Sequence, residues 1–173
     1  IIDLGLTPTV VTDYERWQPL HWALAVPDVM ERGGFDAVIG NPPFLGGQKL
    51  TGALGTNVRE WFVHELAAGQ KGSADLVAYF FLRAQSLLNG RGTLGLIATN
   101  TLAQGDTREV GLNRMVADGF TITDAIQSRS WPSATANLEF AAVWGTVGTI
   151  SAHATRTADA AVVSAVSPLL EAE

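Results

Sequence analysis

Residues 35–44 read Phe35-Asp36-Ala37-Val38-Ile39-Gly40-Asn41-Pro42-Pro43-Phe44, and this decamer decides the fold. Phe35, Ala37, Val38 and Ile39 make a short apolar run that Gly40 closes, the pattern of a strand covered on both faces. A rigid polar turn follows at once. A turn in that place stands at the carboxyl edge of a sheet, where open α/β folds bind their ligands.

The residue types of the turn carry a chemistry. The side chain of Asn41 offers a carbonyl that accepts hydrogen bonds and an amide that donates them. Pro42 and Pro43 lack N–H groups and have a fixed φ, so the turn is stiff. Pro42 also keeps Asn41 out of the helical region, which holds its side chain away from the strand end. Phe44 adds a flat apolar face beside two oxygen acceptors. The set suits a planar ring bearing an exocyclic NH2: two acceptors for two N–H groups, and an aromatic surface for stacking. The plain alternative is an Asn-Pro turn with a buried Phe, since both residues favour turns.

Downstream, the four glycines of residues 45–55 and their weak periodicity predict a loop able to close over a site. A helix is predicted over Val58–Ala68, capped by Thr56 or Asn57, with Trp61, Phe62 and Leu66 on a core-facing side. The clearest helix runs from Ala74 to Leu88, with Ser73 as cap and Asn89-Gly90 as its end. Leu76, Val77, Phe80, Phe81, Ala84, Leu87 and Leu88 give it a broad apolar stripe. Strands are predicted over Thr93–Ala98, Ile122–Gln127 and Leu138–Thr146, with a loop over Ser128–Asn137 that contains Trp131-Pro132. Alternation of strand, helix and strand from Phe35 to Ala98 predicts parallel pairing. After Gly148 the chain turns to Ala, Ser, Thr and Val, so residues 1–148 read as the functional domain and 149–173 as a linker or the start of another.

Composition bounds the class. The chain has 173 residues, 47% of them hydrophobic, enough to bury one core. It has no Cys and only three His, which excludes a disulfide framework and suggests no metal. No leader and no membrane-length apolar run is visible, so an intracellular, cytoplasmic domain is expected.

The decamer resembles motif IV of the S-adenosylmethionine-dependent amino-methyltransferases. It is most similar to the adenine-N6 DNA methyltransferases of restriction–modification and phage-defence systems. The approach, His21 to Asp36, is similar to the segment before this motif in large members of that group, and the likeness extends from about Trp17 to Gly145. The resemblance implies an α/β, Rossmann-like methyltransferase fold, here partial, from motif IV onward, with helices on both faces and an antiparallel final strand. It implies S-adenosylmethionine as cofactor and a flipped adenine as substrate, the general solution for enzymes that act on a base. In that scheme the Asn41 side chain and the Pro42 carbonyl accept hydrogen bonds from N6, Pro43 stiffens the loop, and Phe44 stacks on the ring. Phe80 falls where the family places an aromatic against the cofactor's adenine, although an aromatic on an apolar helix face is usually core. Trp131-Pro132 is similar to the family's aromatic-Pro pair, which packs on the opposite face of the base, although a Trp there also suits a plug at the sheet end. Thr99, Asn100 and Arg129 are further candidates at strand ends.

Two features depart from the family. The Gly-rich cofactor turn after the first strand is missing: Asp3-Leu4-Gly5-Leu6 lacks a preceding strand and a second spaced glycine. Net charge is −6 with a pI near 5.0, so double-stranded DNA would be gripped by parts of the parent protein outside this chain. The expectation is a piece of a larger methyltransferase with little activity alone. Methylation of protein glutamine or of an RNA guanine amino group is the alternative enzymatic reading, because the same Asn-Pro-Pro-aromatic logic serves any planar NH2. An inactive structural remnant is the non-enzymatic one.

Overall fold

The computed structural model describes Gln18 and residues 20–132 and 139–173. The chain divides into two compact units, Ile1–Arg32 and Gly33–Glu173. In the first, two short helices are described, α1 (Trp22–Ala25) and α2 (Pro27–Glu31), the latter opened by a proline at its first turn. Asp3-Leu4-Gly5-Leu6 lies outside the described residues.

The second unit is built on a six-stranded sheet. Its strands are β1 (Phe35–Gly40), β2 (Leu88–Thr99), β3 (Phe120–Ser130), β4 (Glu139–Val147), β5 (Arg156–Ala158) and β6 (Ala161–Val163). Their order across the sheet is β1-β2-β4-β3-β5-β6. β1 and β2 pair in parallel, with Gly40 opposite Leu96, as the alternation of elements predicts. β4 is antiparallel to both β2 and β3, as the resemblance implies for the strand after Trp131-Pro132, although β5 and β6 follow it in the chain.

Between β1 and β2 run α3 (Gly47–Leu54), α4 (Thr56–Trp61) with a π-helical turn at Phe62–Leu66, and α5 (Leu76–Leu87). The loop expected over residues 45–55 is therefore a helix for most of its length. Glycine disfavours helix by about 1 kcal/mol per residue, but Leu50 is fully buried against the core and overrides that preference. The helix after it starts from Gly55, with φ 85°, and has no side-chain cap where Thr56 or Asn57 was expected. α5 begins two residues later than predicted. Its cap is Asp75, whose carboxylate accepts the Val77 N–H at 3.0 Å, and not Ser73.

A 3-10 turn (Asn100–Ala103), α6 (Gly105–Arg108), a π-helical segment (Glu109–Asn113) and α7 (Arg114–Ala117) join β2 to β3. Leu50, Val77, Phe81, Leu102, Leu112 and Met115 form one cluster with Leu94, Leu96, Ala98, Ala141 and Val143 of the sheet. Each fully buried large side chain of this kind stabilises by about 1.5–3 kcal/mol.

The other face of the sheet differs from expectation. Among the described residues of this unit the helices cover one face, while Ile39 is 86% exposed and Trp144 is 40% exposed. β1, expected to be covered on both faces, stands at the edge of the described strands, with Ala37 and Ile39 exposed and Val38 packed against the core. An apolar run alone does not say how many faces a neighbour will cover. Trp144 lies on Gly95, where a Cβ would come within 2.9 Å of the indole.

Residues 149–173 do not separate from this unit. β5 pairs in parallel with β3 and turns through Asp159 and Ala160, both with positive φ, into β6. The low charge of this stretch suits a sheet edge as well as a linker. No helix among the described residues is long and apolar enough to cross a membrane.

Candidate functional site

The register of the sheet gathers the predicted residues at one edge. Asn41 follows directly on β1, whose last residue lies opposite Leu96, three residues before the end of β2 at Thr99. Thr99 lies opposite Phe140 at the start of β4, and Phe140 lies opposite Arg129 near the end of β3. Asn41-Pro42-Pro43-Phe44, Thr99-Asn100 and Trp131 therefore share the carboxyl edge of β1, β2 and β3. This is the edge at which α/β sheets hold ligands.

Within the loop, Asn41 and Pro43 are exposed, Pro42 is buried and Phe44 is 37% exposed. The plain reading of a buried Phe in a turn does not describe Phe44, which keeps part of its ring open. Leu45 fixes the exit of the loop: its N–H donates to Asp75 Oδ1 at 3.2 Å and its carbonyl accepts the Leu76 N–H at 2.9 Å. Gly47 packs directly on the backbone of Ser73 and Ala74.

Trp131 stands just past β3, half-buried, with its ring edge-to-face on Phe140 at a centroid distance of 5.4 Å. Glu139 was not singled out by the sequence. One of its carboxylate oxygens accepts from Asn100 Nδ2 at 2.9 Å and from Ser128 Oγ at 2.6 Å, tying the ends of β2, β3 and β4. Sequence offered no signal for it, because the tie joins residues 39 and 11 positions apart. Arg129 is exposed at the same edge.

Phe80 stands on α5, outside the loop itself. It is 42% exposed, whereas its neighbour Phe81 is fully buried. With Trp61, Phe62, Leu66, Tyr79 and Arg83 it lines an apolar recess that includes no residue of the Asn41–Phe44 loop. Phe62 stacks on Tyr79 at 5.1 Å, and Trp61, expected in the core, is 48% exposed. Burial pushes the Tyr79 phenol above its ordinary value of 10.0, with the Arg59 guanidinium pulling it the other way. Among the described residues, no group of three or more His, Asp or Glu side chains is placed to hold a metal ion.

Comparison with known proteins gives the arrangement a context. The Type IIL restriction-modification enzyme MmeI, whose structure was determined in complex with DNA, has a similar fold, with a TM-score of 0.67 at 19% identity. The match covers 97% of this chain and 23% of the MmeI chain. A protein of Listeria monocytogenes described as a candidate class I S-adenosylmethionine-dependent methyltransferase matches with a TM-score of 0.50 at 10% identity, over 68% of this chain and 33% of its own. A protein of Methanocaldococcus jannaschii described as a candidate type II restriction enzyme and methyltransferase is 26% identical over 95 residues. That alignment takes in 55% of this chain and 7% of the archaeal protein, so the chain spans a small part of the relatives it matches. The mixed α/β sheet is that of S-adenosylmethionine-dependent methyltransferases. Residues 11–127 match the Eco57I restriction-modification methylase family, and the chain belongs to that family.

Proposed function

We propose that this chain carries the catalytic motif of a DNA adenine-N6 methyltransferase that takes its methyl group from S-adenosylmethionine. The observation that carries the reading is Asn41-Pro42-Pro43-Phe44 at the carboxyl edge of β1, with Asn41 exposed and Trp131 on the same edge. Membership of a restriction-modification methylase family supports it.

In this reading a flipped adenine enters the edge with its amine toward Asn41. The Asn41 side-chain carbonyl and the Pro42 carbonyl accept one hydrogen bond each from the two N–H groups of N6. The bonds draw the nitrogen lone pair out of conjugation with the ring and stabilise the positive charge that develops as N6 takes the methyl. Phe44 and Trp131 hold the two faces of the ring, each through an accessible part of its own aromatic surface. S-adenosylmethionine, when bound, supplies the methyl as an activated sulfonium group. Of the described residues, Phe80 fits its purine: the ring is open to the surface and sits in an apolar, aromatic recess. DNA would be gripped mainly by other parts of the parent protein, since this chain carries a net charge of −6.

Methyl transfer by the full parent polypeptide tests the reading, with labelled S-adenosylmethionine, unmethylated DNA and nucleoside digestion. Label is expected in N6-methyladenine, and Asn41→Ala is expected to reduce it by about 10²–10³-fold, the usual cost of one missing charge-stabilising group. Label in RNA or protein instead of DNA would overturn the adenine reading in favour of another planar amine.

A further inference from the structure

We infer that Asp75 is a positioning residue that sets the peptide between Phe44 and Leu45, and through it the stacking face of Phe44. The inference rests on the proposed methyl transfer for its functional consequence, and on hydrogen bonds alone for its geometry.

Residues 41–46 contain no helix or strand, and two of them are prolines that cannot donate. The loop is held at one end by β1. At the other, Leu45 makes two bonds to the start of α5, through Asp75 Oδ1 and the Leu76 N–H. The Leu45 N–H belongs to the same peptide unit as the Phe44 carbonyl. Holding it constrains ψ of Phe44, and with it the stretch of backbone from which the ring projects.

Asp75 Oδ1 serves two donors at once, Leu45 N–H at 3.2 Å and Val77 N–H at 3.0 Å. A helix cap needs only the second. The bond to Leu45, 30 residues away, is additional. Asp75 is itself held, because its N–H donates to Thr107 Oγ1 at 3.1 Å and Thr107 is buried in α6. Asp106 accepts the Ser73 N–H at 2.6 Å beside it. The loop exit is therefore anchored through Asp75 to two helices, and a carboxylate acceptor makes the anchoring bonds stronger than neutral ones.

The test uses the intact parent protein with Asp75→Ser and Asp75→Asn. Serine caps helices as well as aspartate does, but its shorter side chain cannot serve Val77 and Leu45 together. Asparagine retains a side-chain oxygen at the aspartate reach. Hydrogen–deuterium exchange should show the Leu45 amide losing protection by tenfold or more in Asp75→Ser, with the Val77 amide still protected. In the same variant kcat for methyl transfer should fall about 10–100-fold with KM for S-adenosylmethionine unchanged, as for a slightly misplaced reacting group. Asp75→Asn should recover most of both losses. Unchanged exchange at Leu45 would overturn the inference, as would fast exchange with full kcat. Should Asp75→Ser fail to fold, Thr107→Val loosens the same anchor from the other side, and the same two readouts decide. A wild-type protein that transfers no methyl would sink the proposed reaction, while the exchange comparison would still decide the role of Asp75.

Discussion

Two glycines five positions apart in one helix should respond to the same substitution with opposite signs. At Gly47 an added Cβ would lie 2.3 Å from the carbonyl carbon and oxygen of Ser73 and 2.6 Å from the carbonyl oxygen of Ala74. These are backbone atoms, which cannot swing aside. Ordinary carbon contacts begin near 3.5 Å, so α3 and the residues before α5 must part by about 1 Å. Overpacking of this kind costs about 1–3 kcal/mol. At Gly52, by contrast, nothing lies within 4 Å of the added Cβ. Alanine there gains about 0.5–1 kcal/mol through helix propensity. At about 2–4 °C per kcal/mol for a unit of this size, Gly47→Ala should lower the melting temperature by several degrees and Gly52→Ala should raise it slightly. Scanning calorimetry of the intact protein reads both. Because residues 45–47 also carry the loop exit, methyl transfer should fall in Gly47→Ala and persist in Gly52→Ala. A Gly47→Ala protein as stable as wild type would refute the reasoning, since it would mean that the close approach to Ser73 is not maintained in solution.

Adjacent phenylalanines on α5 should separate stability from binding. Phe81→Ala, in the core, should cost about 3–5 kcal/mol in urea unfolding, while Phe80→Ala should cost little stability but weaken S-adenosylmethionine severalfold by calorimetric titration, about the worth of one aromatic contact; equal affinity in Phe80→Ala would remove that residue from the cofactor site. Tyr79 predicts an alkaline limit. Its folded-state pKa is raised, so the unfolded chain loses its proton first and stability falls as pH climbs above about 10. Unfolding free energies of wild type and Tyr79→Phe, measured from pH 8 to 11.5, should diverge only above that point, and parallel profiles would contradict the burial assigned to the phenol.

Much of the candidate site's backbone was legible because its signals are local. The apolar run from Phe35, its stop at Gly40 and the prolines at 42 and 43 are adjacent, and each acts through the backbone of its neighbour. The long helix before β2 was legible for the same reason, since a periodic apolar face records burial without a partner being named. α3 was not legible: its glycines speak against helix, and only the burial of Leu50 and the approach of Gly47 to Ser73 reverse that. Phe80 and Phe81 carry equal hydrophobicity in sequence, yet one is open and the other is fully buried. The caps show the same limit, because Ser73 and Asp75 are both good capping residues and only the fold brings Leu45 to one of them.

By itself, then, the sequence determined the strand and the stiff Asn-Pro-Pro-Phe turn after it, because both depend on residues close in the chain, and the order of its elements predicted the parallel pairing that β1 and β2 form. The tertiary structure decided which strand ends meet there, that strands from residues 149–173 extend the sheet, that Ile39 of β1 is exposed while Val38 packs on the core, and that Asp75 holds the loop exit. These rest on contacts between residues tens of positions apart, and no local preference encodes them.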